Sequence, residues 1–150
     1  MKQNEISEFY DEYVKRQIKT GANERLISLY KRLLNGGLNT DSKVLELGCG
    51  VGIFTKLLAK KVKNGIIEAV DLSAKSIAVA ENELKHKKNI HFDVADVVKY
   101  KPENSDFDMI TLMDVIEHIP LEHHAELFRN LAEIATEKTN ILINIPNPQY

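Results

Sequence analysis

The sequence contains a single cysteine, Cys49, and its formal net charge at neutral pH is only −2 over 150 residues. One cysteine excludes an internal disulfide and is typical of a reducing compartment, so we predict a cytoplasmic location. Because neither sign of charge dominates, we expect no nucleic acid partner. The N-terminus lacks the apolar segment of a secretory signal, and no apolar run approaches membrane-spanning length. We therefore expect no membrane association.

The chain does have enough apolar side chains for one domain, since 43% of its residues are hydrophobic. Residues 1–38 contain two amphipathic helical patterns, separated by Gly21-Ala22-Asn23 and ended by Gly36-Gly37. Residues 39–150 then alternate short apolar strands with helices, except that no clear helix separates the third strand from the fourth. This order predicts an α/β fold with a doubly wound, largely parallel sheet, preceded by two N-terminal helices.

The most informative segment runs from Lys43 to Gly52, where a short apolar strand enters a glycine cluster. Gly48 and Gly50 alternate with Gly52 at the turn, and the apolar residues that follow recur at helical spacing. Glycines at such a turn let the backbone approach a ligand and expose the first N–H groups of a helix. Since Ile53 stands where the dinucleotide fingerprint G-x-G-x-x-G requires glycine, that fingerprint is not met.

Glu46 stands two residues before the first glycine and indicates the charge of the ligand. A carboxylate there would repel a pyrophosphate and attract a ligand that carries ammonium and sulfonium groups, such as S-adenosylmethionine (SAM). An acidic residue followed by G-x-G-x-G resembles the first motif of the class I SAM-dependent methyltransferases. An NAD(P)-dependent oxidoreductase shares the topology and stays as the main alternative.

The resemblance continues in the family's order over roughly residues 43 to 119. Residues 66–73 resemble the second strand, 90–97 the third, and 107–119 the fourth with its functional loop. The resemblance implies a Rossmann-like sheet of strand order 3-2-1-4-5, with Asp71 on the ribose hydroxyls of SAM. It also implies that Asp96, with Asp93 as a competitor, binds the adenine amino group. The other cofactor contacts that it implies are Glu46, Gly48, Cys49, Gly50, Gly52, Leu72, Val97 and Met113.

In many methyltransferases of this type, N-terminal helices form a lid over the cofactor pocket. By that resemblance residues 1–38 would be a lid on a SAM-binding core of residues 39–150. Tyr10 and Tyr13 would cap SAM, and Arg25 would pair with its methionine carboxylate. The alternative for both tyrosines is the core stripe of an amphipathic helix.

His118 is the titratable group closest in sequence to the expected acceptor site, since it follows the fourth predicted strand. A histidine there can deprotonate a hydroxyl or amine as the methyl group leaves sulfur, so we name it as the candidate catalytic base. Alignment and water exclusion can also supply most of the rate without a base. His123 and His124 would point about 100° apart on a helix that begins near Pro120, so we predict no metal site.

Cys49 lies between two loop glycines, and no histidine lies within a few residues of it. It therefore fits a small residue in a tight turn better than a nucleophile.

The end of the sequence departs from the family pattern. The family's sheet normally has seven strands, whereas this sequence stops just after a fifth predicted strand, at residues 140–145. Its apolar residues would form an exposed edge, which soluble proteins usually avoid. We expect a methyltransferase truncated after this strand, with possible self-association through the edge. The predicted activity is methyl transfer from SAM to an oxygen or nitrogen of a small-molecule acceptor. A SAM-binding module without catalysis is the third hypothesis.

Overall fold

The computed structural model describes residues 3–147, with side chains from residue 11 onward. Two short 3₁₀ turns, Ile116–His118 and Leu121–His123, precede the last helix. In chain order the helices and strands are α1 (Gln3–Thr20), α2 (Glu24–Asn35), β1 (Lys43–Leu47), α3 (Ile53–Lys61), β2 (Ile66–Asp71), α4 (Ala74–Leu84), β3 (Ile90–Val94), β4 (Met109–Met113), α5 (His124–Ile134) and β5 (Asn140–Asn144).

The five strands form one sheet in the order β3-β2-β1-β4-β5. Each neighbouring pair is parallel, which confirms the doubly wound α/β fold and the strand order that the family resemblance implied. The direction of winding reverses between β1 and β4. In open parallel sheets a crevice opens beyond the carboxyl ends of the strands at this reversal, and ligands bind there.

Both faces of the sheet are covered, which explains why every residue of β4 is buried. On one face α2, α3 and α4 pack through residues such as Leu33, Leu58 and Ile77. On the other face Leu127 and Leu131 of α5 pack with Phe107. The core therefore holds the strand ends rigidly on both sides of the crevice.

The starts of two helices follow from local hydrogen bonds. The Asn23 side chain accepts from the backbone N–H of Leu26 and caps α2 (2.9 Å). Ser73 caps α4 in the same way, by accepting from the N–H of Ser76 (3.2 Å).

The prediction that the last helix begins near Pro120 was wrong, because α5 begins at His124. Pro120 instead precedes the 3₁₀ turn Leu121–His123. In that tighter turn the backbone N–H of His123 donates to the carbonyl of Pro120, three residues earlier (2.9 Å). The α-helical hydrogen bonds, which span four residues, therefore start only after this turn.

No helix lies between β3 and β4 in the described chain, as predicted. The connection is held instead by Glu68, a buried residue of β2. Its carboxylate accepts from the Tyr100 hydroxyl (2.6 Å) and from the side-chain amide of Asn104 (2.8 Å). This network fixes the loop that follows β3 against the sheet.

β5 is the last strand of the sheet within residues 3–147, and it is only partly covered. Ile141 is 42% exposed and Ile143 is 38% exposed. The exposed apolar edge predicted from the sequence is therefore present.

Candidate cofactor and acceptor site

A cavity of about 620 Å³ opens at the reversal between β1 and β4. The residues that line it come from the carboxyl ends of β1, β2 and β4, from α1 and α2, and from the two 3₁₀ turns. Most of the predicted site residues line it: Tyr13, Glu46, Gly48, Cys49, Gly50, Asp71, Leu72, Asp96, Val97, Met113 and His118. Gly52 and Arg25 do not. The sequence-based grouping of these residues therefore corresponds to one continuous space.

The glycine loop after β1 has a backbone that other residues adopt with difficulty. Gly48, Gly50 and Gly52 have φ angles of 80°, 55° and 86°, in the left-handed region. At Gly48 an added Cβ would lie 2.2 Å from Cγ2 of Val115, whereas at Gly50 nothing lies within 4 Å. Gly48 thus allows the loop to contact the segment after β4, and Gly50 leaves open space at the cavity.

Gly52 does not line the cavity and packs against α4. It precedes α3, and an added Cβ there would lie 3.0 Å from Cβ of Ala80 in α4. Its missing side chain allows the two helices to pack closely. Gly52 therefore supports the loop from outside the cavity.

Asp71, at the end of β2, binds the glycine loop directly. Its Oδ2 accepts from the N–H of Gly50 (2.8 Å), and its Oδ1 accepts from the N–H of Ser73 (2.9 Å). A carboxylate has about four lone-pair sites, so both oxygens keep acceptor capacity toward the cavity. Asp71 therefore both shapes the loop and presents charge to a ligand.

The two candidate carboxylates after β3 are separated by the structure. Asp96 lines the cavity, and its Oδ1 accepts from the backbone N–H of Val98 (2.9 Å). Asp93 instead lies with its Oδ2 2.5 Å from the Tyr100 hydroxyl and does not line the cavity. The position of Asp96 is thus the one suited to a ligand.

Glu46 is 1% exposed, and its Oε2 accepts from the Thr55 hydroxyl (2.6 Å). The pKa of this carboxyl is raised to about 8, chiefly by burial and to a smaller extent by the charge of Asp71, against the opposing effect of the Thr55 hydrogen bond. The sequence suggested a standing negative charge at this position. The carboxyl is instead largely protonated at neutral pH, and a bound cation would favour its ionised form.

Asp114, at the end of β4, joins three elements. Both of its oxygens accept from the guanidinium of Arg25 at the start of α2 (2.6 Å for Oδ1), and Oδ1 also accepts from the Asn144 side chain of β5 (2.8 Å). The hydrogen bonds from Arg25 hold the pKa of Asp114 below its usual range. Arg25, the residue predicted to pair with the methionine carboxylate of SAM, is therefore paired with a carboxylate of the protein in this structure.

The N-terminal segment forms part of the cavity wall through Tyr13, Gln17 and Leu26. Tyr13 is 49% exposed, so it is not a core residue of α1. Its hydroxyl accepts from the Gln17 side chain (3.2 Å). The Tyr10 side chain lies outside those that the structure describes.

His118 and His123 lie at the mouth of the cavity. The His118 side chain is 78% exposed, and its Nε2 is 3.9 Å from Oε1 of Glu117. His124 is engaged elsewhere, since its Nε2 lies 2.9 Å from the carbonyl oxygen of Ile119. Among the described residues there is no group of three side chains suited to a metal ion.

Cys49 is buried and uncharged at neutral pH. Its thiol lies 3.7 Å from the Gly50 carbonyl oxygen, and burial raises its pKa far above the ordinary value. Nucleophilic chemistry needs the thiolate. The packing of Cys49 therefore favours the structural interpretation.

Comparison with known proteins assigns the family. A model of the methyltransferase domain family matches residues 10–150. This chain belongs to that family. It is 36% identical over 78 residues to a ubiquinone biosynthesis O-methyltransferase of Coxiella burnetii, covering 51% of this chain and 32% of that protein.

Two further proteins show the same likeness. The methyltransferase domain is 35% identical over 74 residues to malonyl-[acyl-carrier protein] O-methyltransferase 1 of Ilyobacter polytropus, covering 49% of this chain and 27% of that protein. The chain thus spans less than a third of either curated relative. A crystal structure of an S-adenosylmethionine-dependent methyltransferase from Clostridium acetobutylicum shares the fold, with a TM-score of 0.71 and 23% identity, over 95% of this chain and 56% of that one.

Several cavity residues of this methyltransferase domain were not predicted from the sequence. They include Gln17, Leu26, Phe54, Ile119 and His123. Gln17 follows Tyr13 by four residues and so shares its helix face, a spacing that could have identified it. The others depend on how α2, α3 and the 3₁₀ turns meet the sheet. Within residues 3–147 no helix is long and apolar enough to cross a membrane.

Proposed function

We propose that this domain transfers a methyl group from SAM to an oxygen or nitrogen of a small-molecule acceptor. The observation that carries the proposal is the cavity at the β1–β4 reversal, where Glu46, the glycine loop and Asp71 converge. The match to the methyltransferase domain family supports the reaction class. Both curated relatives described above are O-methyltransferases by name, which favours oxygen as the acceptor atom.

The cavity fits this cofactor in size and charge. Its 620 Å³ falls in the range of ligand pockets, and the carboxyl groups of Glu46, Asp71 and Asp96 suit a ligand with ammonium and sulfonium groups. Asp71 would hold the ribose hydroxyls with its remaining lone pairs. Asp96 would accept from the adenine amino group.

Other residues supply the apolar contacts of the same ligand. Leu72 is 73% exposed at the cavity, whereas Val97 and Met113 are buried. An exposed leucine beside Asp71 is suited to the adenine ring, whose faces are apolar. Gly48, Cys49 and Gly50 would approach the amino-acid portion of SAM with their backbone.

When bound, SAM supplies a methyl group on a sulfonium, which is already an activated leaving group. The chain's contribution is therefore alignment of the acceptor and exclusion of water. Tyr13, Gln17 and Leu26 close the side of the cavity, which supports a lid role for residues 1–38 over the core of residues 39–150. Nε2 of His118 would take the proton that the acceptor hydroxyl or amine loses.

A direct test compares the cofactors by calorimetry. The parent protein should bind SAM and S-adenosylhomocysteine (SAH), whereas NAD and NADP should not bind. Binding of NAD in place of SAM would establish the oxidoreductase alternative. Binding of SAM without transfer of a labelled methyl group to any acceptor in a small-molecule screen would favour a binding module without catalysis.

The remaining partner assignments follow from composition and surface. We infer a cytoplasmic protein without a nucleic acid partner, on the grounds of its single cysteine and near-balanced charge. The exposed edge of β5 supports self-association, because an uncovered apolar strand edge pairs readily with another chain.

A further inference from the structure

Thr55 is a buried polar residue whose side chain contacts β1. It lies in the first turn of α3 and is 0% exposed. A threonine inside a helix commonly bonds a carbonyl of its own helix, but here Oγ1 donates to Oε2 of Glu46 at 2.6 Å. Among residues 11–147, the Thr55 hydroxyl is the one hydrogen-bond donor to the Glu46 side chain.

The groups around Glu46 do not replace that hydrogen bond. In the sheet Glu46 lies beside Ala69 of β2 and Thr111 of β4, and within the described residues the Thr111 hydroxyl has no partner at all. Within the described residues, the charged group that acts on the pKa of Glu46 is Asp71, which has the same sign of charge and cannot donate to it. The guanidinium of Arg25, which also lies near the carboxyl ends of the strands, is already paired with Asp114.

We propose that Thr55 is a positioning residue for cofactor binding: its hydroxyl holds the Glu46 carboxyl at the cavity wall, with Oε1 left for a cationic amino group of the ligand. The inference rests on the proposed function, because SAM and SAH both carry such an ammonium group. Gly52, the N-cap residue of α3, has no side chain with which to cap the helix. The hydroxyl in its first turn is directed to β1 instead.

Proton release is the consequence that can be measured. The pKa of Glu46 in the free protein is about 8, so a ligand ammonium that favours the carboxylate must displace a proton at pH 7. Affinity for SAH should therefore rise as the pH is raised from 6 toward 8, by at most about tenfold per pH unit. The Thr55 hydrogen bond favours the charged carboxylate, so removing it should raise this pKa further and weaken binding most at the lower pH.

The experiment measures SAH binding by calorimetry at pH 6.5 and pH 8, in pairs of buffers with different ionisation enthalpies so that released protons are counted. Thr55→Val replaces the hydroxyl with a methyl group, and Thr55→Ser keeps it. Thr111→Val makes the same change on the neighbouring strand at a hydroxyl without a partner. Methylthioadenosine, which lacks the amino-acid portion, is the control ligand.

The parent protein should release close to one proton on binding SAH at pH 6.5 and fewer at pH 8. Thr55→Val should bind SAH about tenfold more weakly at pH 6.5, with a smaller loss at pH 8, while Thr55→Ser and Thr111→Val should match the parent. Methylthioadenosine should bind every variant alike and release no proton.

Each contrary result has its own meaning. Equal affinity of the parent for SAH and methylthioadenosine would show that no ligand ammonium is held at Glu46. That result overturns the Thr55–Glu46 proposal but leaves the proposed function intact, and it does so even if Thr55→Val does not fold. An equal loss of SAH and methylthioadenosine binding in Thr55→Val would show a general packing role and also overturn the proposal. A parent that binds neither nucleoside would overturn the proposed function itself.

Discussion

Arg25 and Asp114 lie 89 positions apart in the sequence and form a two-pronged ion pair that joins the start of α2 to the end of β4. Asp114 has a φ of 56°, unusual for a residue with a side chain, and this conformation accompanies its bonds to Arg25 and Asn144. The pair fixes the start of α2 beside the cavity, which α2 lines through Leu26. It is therefore a structural connection between the proposed lid and the proposed site.

Replacing Arg25 with methionine should loosen this connection. The side-chain length is kept while the guanidinium is lost, so we expect a loss of about 1 kcal/mol in the free energy of unfolding, because the pair is partly exposed. Because the pKa of Asp114 is lowered in the folded state, the contribution of the pair is present above the ordinary aspartate pKa and is lost as the pH falls through the lowered value. Chemical denaturation of both proteins at neutral and strongly acidic pH would measure this. If the parent and the Arg25→Met variant are equally stable at neutral pH, the Arg25–Asp114 ion pair does not contribute to stability.

The glycine loop offers a matched pair of substitutions. Gly48→Ala should destabilise the fold by more than about 2 kcal/mol, since it combines a left-handed φ with a contact 2.2 Å from Val115. Gly50→Ala has the strained φ without any neighbour within 4 Å and should cost only about 1 kcal/mol. Thermal melts would compare them, and equal losses would mean that Val115 moves aside.

Sequence patterns predicted the succession of helices and strands because each element carries its own local signal, whereas the strand order within the sheet followed from the family resemblance. The apolar run of β1, the glycines after it and the caps at Asn23 and Ser73 all act over a few residues. The start of α5 was missed for the opposite reason. A 3₁₀ turn after Pro120 competes with an α-helical turn over the same residues, and spacing alone does not separate the two.

Site residues could be predicted from the sequence only where a charged residue lies at or just after the carboxyl end of a strand. Asp71 and Asp96 follow strand ends, so their common edge could be deduced. The pairing of Arg25 with Asp114 and the bond from Thr55 to Glu46 depend on tertiary packing. The burial that raises the pKa of Glu46 likewise arises only once α3 covers β1, which is why the sequence suggested a permanently charged carboxylate.

Asp71→Ala should weaken SAH binding by roughly 2–3 kcal/mol, through loss of two charge-assisted hydrogen bonds to the ribose. Because Asp71 also accepts from Gly50, part of this loss would come from a looser loop. Asp71→Asn keeps one acceptor oxygen and should show a smaller loss. Titration of SAH against each variant measures both effects, with circular dichroism to confirm folding. An unchanged dissociation constant in a folded Asp71→Ala would remove this residue from the site.

His118→Gln tests the proposed base. If His118 takes the acceptor's proton, the methyl-transfer rate should fall by roughly 10²-fold while SAM affinity stays nearly constant. His123→Gln is the matched control, because His123 lies at the same mouth of the cavity. Single-turnover rates once an acceptor is known, together with calorimetric affinities, separate the two effects. A His118 variant within a few-fold of the parent would mean that alignment alone supplies the rate.

The exposed edge of β5 makes a prediction about assembly. Ile141 and Ile143 present apolar side chains on a strand that lacks a neighbour on one side within the described chain, and such edges favour pairing between chains. The protein should therefore self-associate as its concentration rises.

Ile143→Lys should reduce this association, since a charged residue on an edge strand disfavours intermolecular pairing. Lys138→Glu, which changes the charge of an exposed residue outside the strand, controls for a general charge effect. Light scattering over a concentration series would distinguish the outcomes. A parent protein that stays monomeric at high concentration would contradict self-association through β5.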